Sequence, residues 1–521
     1  MPTQRPNILL VVLDTTRRDR LSLYGHTAST SPNLDAFAAG ATRYDRAIAA
    51  AQWTVPSHAS MFTGLYPATH GVTQSTSAIS GMHPTAPEIL RGAGYQTVAF
   101  CNNPLVGVLN NGLQRGFDRF YNYASAAPFR PAEERRHPLL KAALRNFRRH
   151  VARPIGNQFS QSDTMFRVAL NPLFTPLWTR LIRFKGDTGG SVDDLIAYWG
   201  AHQAGGAERP LFAFLNLMGA HLPYNPPADA LRQVGSPLAS AQYRFMRGFN
   251  GNAAAWATPP DEPLPDWQRA ALDSFYDAEI YAQDAHLGRL LQWLKVSGTL
   301  QNTLVIICAD HGEGHGDHGF FGHGFVTYQE LVHVPLVIHW PDGDGVGQVE
   351  PRNVSTRRIF HTLLSTAGVF RPPLDESDPN ADVRGLSLSP HATSEAQWGG
   401  NTGEGAVYSE AYPPSIFLGV IEHSRAPLIA RLALDQPRRA LYQGDHKLVT
   451  VGDKIEGLFH LPDDPAETHD LSAVQPDQAY SFQHELQAFV SSHSARRPEA
   501  ATFTLDDAGT LDHLRALGYI E

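Results

Sequence analysis

The apolar positions of this chain fall into short unbroken runs separated by helix-like stripes. Asn7-Ile8-Leu9-Leu10-Val11-Val12-Leu13, Gly94-Tyr95-Gln96-Thr97-Val98-Ala99-Phe100, Pro210-Leu211-Phe212-Ala213-Phe214-Leu215-Asn216-Leu217, Leu304-Val305-Ile306-Ile307-Cys308-Ala309 and Pro335-Leu336-Val337-Ile338-His339-Trp340 each predict a buried strand. Between them, Ser31-Pro32-Asn33-Leu34-Asp35 opens a helix ending near Gly40, and Ala86 to Leu90 reads as another. A long helix over 269–296 carries Leu272, Phe275, Ile280, Leu287, Leu290 and Leu291 as its apolar stripe. Asp277, Glu279 and Asp284 on that helix are expected to be solvated or structural. This alternation predicts an α/β protein.

The pattern changes twice. Over 125–190 the basic residues Arg130, Arg135, Arg136, Lys141, Arg145, Arg148, Arg149 and Arg153 interleave with apolar ones. We expect a helical insertion or lid, with the basic helix packing on its own domain in preference to a membrane surface. After about residue 400 the segments shorten and alternate. Arg439 to Val449 reads as two antiparallel strands around a turn, followed by a helix over about 475–492. The expected division is a catalytic domain over 1–400 and a smaller C-terminal subdomain over 401–521.

Composition narrows the class without naming a chemistry. The 521 residues are 42% apolar and 18% charged, with a net charge of -9, which suits a soluble globular protein and gives no support for nucleic-acid binding. Two cysteines cannot build a disulfide framework. The first strand starts near Met1 and no apolar run reaches about 20 residues, so the expected location is the cytoplasm.

The chemistry gathers where strands end. Asp14 directly follows the first strand, at the edge where open α/β sheets bind ligands, and is a candidate metal ligand. Asp310-His311 follows the 304–309 strand in a glycine-rich loop from which both side chains can reach one cation. In Trp53-Thr54-Val55-Pro56-Ser57-His58-Ala59-Ser60-Met61-Phe62-Thr63-Gly64, Pro56 marks a first helical turn and Gly64 a stop. Thr54 is therefore expected just ahead of a helix N-terminus, where a hydroxyl can attack or hold a tetrahedral oxyanion. His221 also follows a strand, and Asn102-Asn103 at the end of another could hydrogen-bond an oxyanion or serve a loop.

Taken together, these motifs resemble the sulfatase branch of the alkaline-phosphatase superfamily. The resemblance runs through Asn7 to Asp14, Pro56-Ser57, Ala59-Ser60, Thr63-Gly64-Leu65-Tyr66-Pro67, His70-Gly71, Gly94-Tyr95-Gln96-Thr97, His221-Leu222-Pro223-Tyr224 and Asp310-His311-Gly312-Glu313. It continues in Leu458-Phe459-His460-Leu461, Asp464-Pro465-Ala466-Glu467, Asp470-Leu471 and the terminal Leu514-Arg515-Ala516-Leu517-Gly518-Tyr519. It implies a large mixed central sheet sandwiched by helices, with a smaller C-terminal α+β subdomain.

The departures all touch the anion pocket. True sulfatases carry Cys or Ser in a Cys/Ser-x-Pro-x-Arg motif that becomes formylglycine; here Thr54 and His58 stand at the first and last positions. Thr15 replaces the second N-terminal aspartate, His323 the lysine after the Asp-His loop, and Asn102-Asn103-Pro104 a Lys-x-His element. A threonine sulfate ester lacks the carbonyl-forming exit of a hydrated aldehyde, whereas a threonine phosphate is released by water attack at phosphorus. The resemblance with these departures implies a metal-dependent hydrolase or transferase of a phosphodiester or phosphonate monoester, by way of phospho-Thr54. A sulfate- or sulfamate-ester enzyme without formylglycine and a non-catalytic anion-binding homologue are the alternatives. Asp14, Asp310, His311 and Thr54 would hold one cation, Mn²⁺ or Zn²⁺ ahead of Ca²⁺ or Mg²⁺. His221 and His323 would contact the substrate or protonate the leaving group with neutral-range pKa values, and His58 and Asn102 would line the pocket. The partner is a small anionic ester, and a homo-oligomer is left open.

Overall fold

The computed structural model describes residues 5–124, 128–134, 184–206, 208–235, 237–252, 256, 258–260, 262–341, 343–370, 380, 382–390 and 406–498. Most of the expected insertion over 125–190, including the basic stretch 135–153, lies outside these residues. So do the expected domain boundary at 400/401 and the terminal 514–519 motif.

The chain folds around one eight-stranded sheet. Its first six strands are β1 (Asn7–Leu13), β2 (Thr42–Ile48), β3 (Gln96–Cys101), β4 (Arg119–Asn122), β5 (Leu211–Leu217) and β6 (Thr303–Cys308). A two-stranded ribbon follows, β7 (Gly314–His315) with β8 (Phe321–Gly322), and β9 (His333–His339) and β10 (Val349–Ser355) complete the sheet. The spatial order is β10-β2-β9-β6-β1-β5-β3-β4. The five strands from β6 to β4 are mutually parallel, while β9 runs antiparallel to both β6 and β2. The sheet is therefore mixed, and the carboxyl ends of β6, β1, β5 and β3 share one edge.

Strand alternation divides the core into two layers. Ile8, Leu10 and Val12 pack with the helix Thr54–Thr63 and with Phe360 and Leu363. Leu9, Val11 and Leu13 face the 31-residue helix Asp266–Val296 through Leu272, Ile280, Leu287 and Leu290. Asp277, Glu279 and Asp284 on that helix are structural and buried. Asp277 pairs with Arg20, Glu279 with Lys185, and Asp284 accepts the Asn33 and Leu34 amides at the start of helix Pro32–Ala38.

A second, antiparallel sheet takes β11 (Val407–Ala411), β12 (Arg438–Gln443), β13 (His446–Val451) and β14 (Lys454–His460) in sequence order. The helix Pro476–Ser494 covers it with Ala479, Phe482, Leu486 and Phe489. Glu410 joins the two sheets: its amide donates to Ala50 O at 3.0 Å, and its carboxylate accepts Ala68 N–H at 2.8 Å. Among the described residues, no helix is long and apolar enough to cross a membrane.

Candidate active site

The helix Thr54–Thr63 is buried along its whole length. Its N-cap is Trp53, so Thr54 is the first helical residue rather than the one ahead of it. Pro56 fits one position deeper than expected because first-turn N–H groups have no intrahelical acceptor. Gly64 ends the helix at φ 73, where an added Cβ would meet Phe360 and Asn380 inside 3 Å.

Strand geometry brings four groups to one point. Asp14 leaves β1, Asp310 and His311 leave β6, and Thr54 enters from the helix; all are 0–1% exposed. Asp14, Asp310 and His311 place ligand atoms within 4.8 Å of one another. The His311 Nδ1–H donates to Gly312 O at 2.8 Å, which leaves Nε2 to accept the Thr54 hydroxyl at 3.2 Å. Gly312 has to be glycine here, since a Cβ would lie 1.9 Å from Glu330 O.

The hydrogen bonds of the two carboxylates use one oxygen of each and leave the other free. Asp14 Oδ2 accepts Asn103 Nδ2 at 2.7 Å and Asn216 Nδ2 at 3.1 Å. Asp310 Oδ1 accepts the amides of Thr15 at 3.2 Å and His311 at 3.0 Å. Asp14 Oδ1 and Asp310 Oδ2 are buried with no hydrogen-bond partner. Burial, with Asp310 alongside, pushes the Asp14 carboxyl up to about 7, and burial does the same to Asp310. Two buried acids with one free oxygen each, beside a neutral imidazole nitrogen and a hydroxyl, fit a divalent cation.

Thr15 holds a left-handed backbone at φ 56, an uncommon conformation for a β-branched residue. It is held there from two sides: its N–H reaches Asp310, and its carbonyl accepts the Tyr276 hydroxyl at 2.5 Å. Nothing in the sequence pattern marks Tyr276 for this role.

Three imidazoles line the space beside Thr54. The His323 ring centroid is 4.5 Å from that of His311 and 5.1 Å from that of His221. His221 donates Nδ1–H to Leu222 O at 2.6 Å, and His323 donates Nδ1–H to Glu313 Oε1 at 2.8 Å. Both therefore present an unprotonated Nε2. The expectation of neutral-range pKa values does not hold, because burial pushes His221 down to about 3 and His323 to about 4.

Two pocket expectations are corrected. Asn102 donates to Ser191 Oγ at 2.8 Å and Asn216 O at 2.9 Å and accepts Asp187 N–H at 2.7 Å, which commits it to the fold. Its neighbour Asn103 reaches the site instead, because successive side chains leave a strand on opposite faces. His58 lies one turn below Thr54, 0% exposed between Phe62 and Phe214. Its Nδ1–H donates to Thr54 O at 2.9 Å, and Nδ1 stands 3.4 Å from Asp310 Oδ2, so it supports the ligand side from beneath.

A second cluster, His318, Glu330 and Glu467, also collects potential ligand atoms. Lys447 Nζ already sits 2.5 Å from Glu467 Oε1, so the cluster carries its own cation.

Similarity to known proteins extends over most of the chain. The sulfatase family model matches residues 6–369. An N-acetylglucosamine-6-O-sulfatase of Bacteroides thetaiotaomicron is 25% identical over 442 residues, 78% of this chain and 74% of that protein. The multifunctional alkaline phosphatase superfamily protein PehA of Trinickia caryophylli is 24% identical over 406 residues, 71% of this chain and 75% of that protein. Among solved structures, the phosphonate monoester hydrolase of Agrobacterium radiobacter superposes with a TM-score of 0.62 at 20% identity, covering 96% of this chain and 97% of that one. With the family model spanning well over half its length, this chain belongs to the sulfatase family.

Proposed function

We propose that this sulfatase-family hydrolase cleaves a phosphodiester or phosphonate monoester through a covalent phospho-Thr54 intermediate. The observation that carries the reading is a threonine hydroxyl, rather than a residue convertible to an aldehyde, at the Asp14–Asp310–His311 cluster, 3.2 Å from His311 Nε2. The likeness to a phosphonate monoester hydrolase supports the fold for such chemistry.

Thr54 Oγ1 forms a bond to phosphorus as the bond to the leaving oxygen breaks. The hydroxyl proton passes to an imidazole Nε2 of the His221–His323 pair, whose burial-lowered basicity makes it a weak base and a ready donor, and which returns the proton to the departing alcohol. Water then attacks phosphorus in line as the P–Oγ1 bond breaks, and the proton it loses passes through the same imidazole to Oγ1, restoring the hydroxyl. Glu313 fixes the His323 tautomer through Nδ1. A divalent cation held by Asp14, Asp310, His311 and Thr54, Mn²⁺ or Zn²⁺ by the donor set, neutralises charge on the reacting oxygens when bound.

A sulfate ester is the second reading, favoured by the sulfatase relative over most of the chain. Turnover of bis(4-nitrophenyl) phosphate, 4-nitrophenyl phenylphosphonate and 4-nitrophenyl sulfate by Mn²⁺-loaded enzyme separates the two. Phosphorus-ester turnover lost by about 10³-fold or more in Thr54→Ala is the expected result. Sulfate turnover that depends on Thr54 would overturn the leaving-group argument.

A further inference from the structure

Asn103 ends the turn after β3, and its amide orientation is set by its neighbours. Oδ1 accepts Leu105 N–H at 2.8 Å, capping the short helix Pro104–Gly107. Nδ2 is thereby turned inward, where its two hydrogens meet two acceptors, Asp14 Oδ2 at 2.7 Å and Thr54 Oγ1 at 3.4 Å. Asn216 on β5 sends Nδ2 to the same Asp14 oxygen at 3.1 Å. Both asparagines are 0% exposed. Two amides occupy Asp14 Oδ2 and leave Oδ1 without a partner. Only one of them also reaches the hydroxyl. Thr54 Oγ1 thus accepts the Asn103 N–H, a contact that a cation taking His311 Nε2 would leave in place.

We propose that Asn103 is a positioning residue that couples the cation ligand Asp14 to the nucleophile Thr54, while Asn216 serves Asp14 alone. The Thr54 half rests on the phospho-threonine reading; the Asp14 half does not.

The test uses wild type, Asn103→Ser, Asn216→Ala and Thr54→Ala. Serine preserves the helix cap but is too short to reach Asp14. Two quantities are measured: the Kd for Mn²⁺ by calorimetry, and the affinity of Mn²⁺-saturated protein for orthovanadate, whose vanadium accepts a hydroxyl oxygen. Loss of an outer hydrogen bond to a ligand weakens Mn²⁺ binding about 10- to 100-fold in both asparagine variants. In saturating Mn²⁺, orthovanadate affinity falls about tenfold or more in Asn103→Ser and by less than about threefold in Asn216→Ala. Equal orthovanadate losses in the two variants would overturn the coupling, and an unchanged Mn²⁺ Kd in Asn103→Ser would overturn the hold on Asp14. If Thr54→Ala binds orthovanadate like wild type, the nucleophile reading fails, and the Mn²⁺ measurement still decides the Asp14 half.

Discussion

Ser57 Oγ donates to the carbonyl oxygen of Asp310 at 2.7 Å, and both residues are 0% exposed. One hydrogen bond thus ties the helix that carries Thr54 to the loop that carries Asp310 and His311. Ser57→Ala leaves that buried carbonyl without its side-chain donor. The expected cost is about 1–3 kcal/mol of unfolding free energy. Chemical denaturation measures it, and a weaker Mn²⁺ affinity should accompany it because the ligand loop loses its anchor.

Asp14 and Asp310 make the cation-free site unfavourable, since each has a buried oxygen with no partner. Asp14→Asn places an amide donor beside Asp310 and removes one of two like charges. Without metal the variant should unfold at a higher temperature than wild type. Adding Mn²⁺ reverses the order: wild type gains about 2.7 kcal/mol at a hundredfold excess over Kd, and the variant gains little. Thermal melts in EDTA and in Mn²⁺ would show the crossing, and its absence would count against a cation at this position.

His318 is arranged to carry a proton. Its Nδ1 faces Glu330 Oε1 at 3.0 Å, its Nε2 faces Glu467 O at 3.3 Å, and its ring stacks on Tyr328 at 3.8 Å. Both nitrogens meet acceptors, and only an imidazolium can donate to both. Burial opposes the charge, but the Glu330 hydrogen bond and the charges of Glu330 and Glu467 outweigh burial and the repulsion of Lys447, so the pKa is raised. The stabilisation is fully present below the unfolded value of 6.5 and is lost as pH rises through the higher folded value. The difference in unfolding free energy between wild type and His318→Gln should therefore be largest near pH 5.5 and shrink toward pH 8.5. A difference that grows with pH would refute the imidazolium assignment.

Asp273 works in the opposite sense. Burial raises its pKa, but the His315 hydrogen bond at 3.0 Å, the His315 charge and Arg20 prevail and hold it down at about 2. The group is depressed below its unfolded value of 3.8, so its contribution of about 2 kcal/mol is complete above that value and lost as pH falls toward 2. Acid titration of Asp273→Asn against wild type should show the two stabilities converging over that interval. The same junction holds Tyr224 through His315 Nε2 at 2.9 Å, so the variant also tests the anchoring of the loop that carries His221.

Parts of the fold could be read directly from the chain. The apolar runs at 7–13, 211–217 and 303–308 are strands because they are covered on both sides, and continuous burial leaves continuous apolarity in the sequence. β2 was not legible in the same way. Its Arg43, Asp45 and Arg46 lie next to the sheet's edge and pair with Asp45, Arg18 and Asp445, so the strand reads as polar. Asn103 was legible only as one of two adjacent asparagines, because a one-residue change of register exchanges the faces of a strand.

The sequence by itself determined which residue types follow each buried strand, Asp14 after β1, His221 beyond β5 and Asp310-His311 after β6, and that Thr54 stands two residues ahead of the first-turn Pro56 of a helix ended by Gly64. Those are local facts, written in runs and turn residues. Tertiary structure decided which atoms of these residues remain free. It committed Asp14 Oδ2 to two asparagines, buried His58 beneath the helix, spent Asn102 on the fold, and brought Tyr276 from a distant helix to hold Thr15. Hydrogen-bond pairing and desolvation depend on neighbours remote in sequence, so the protonation and reach of each group appear only when the strands lie side by side.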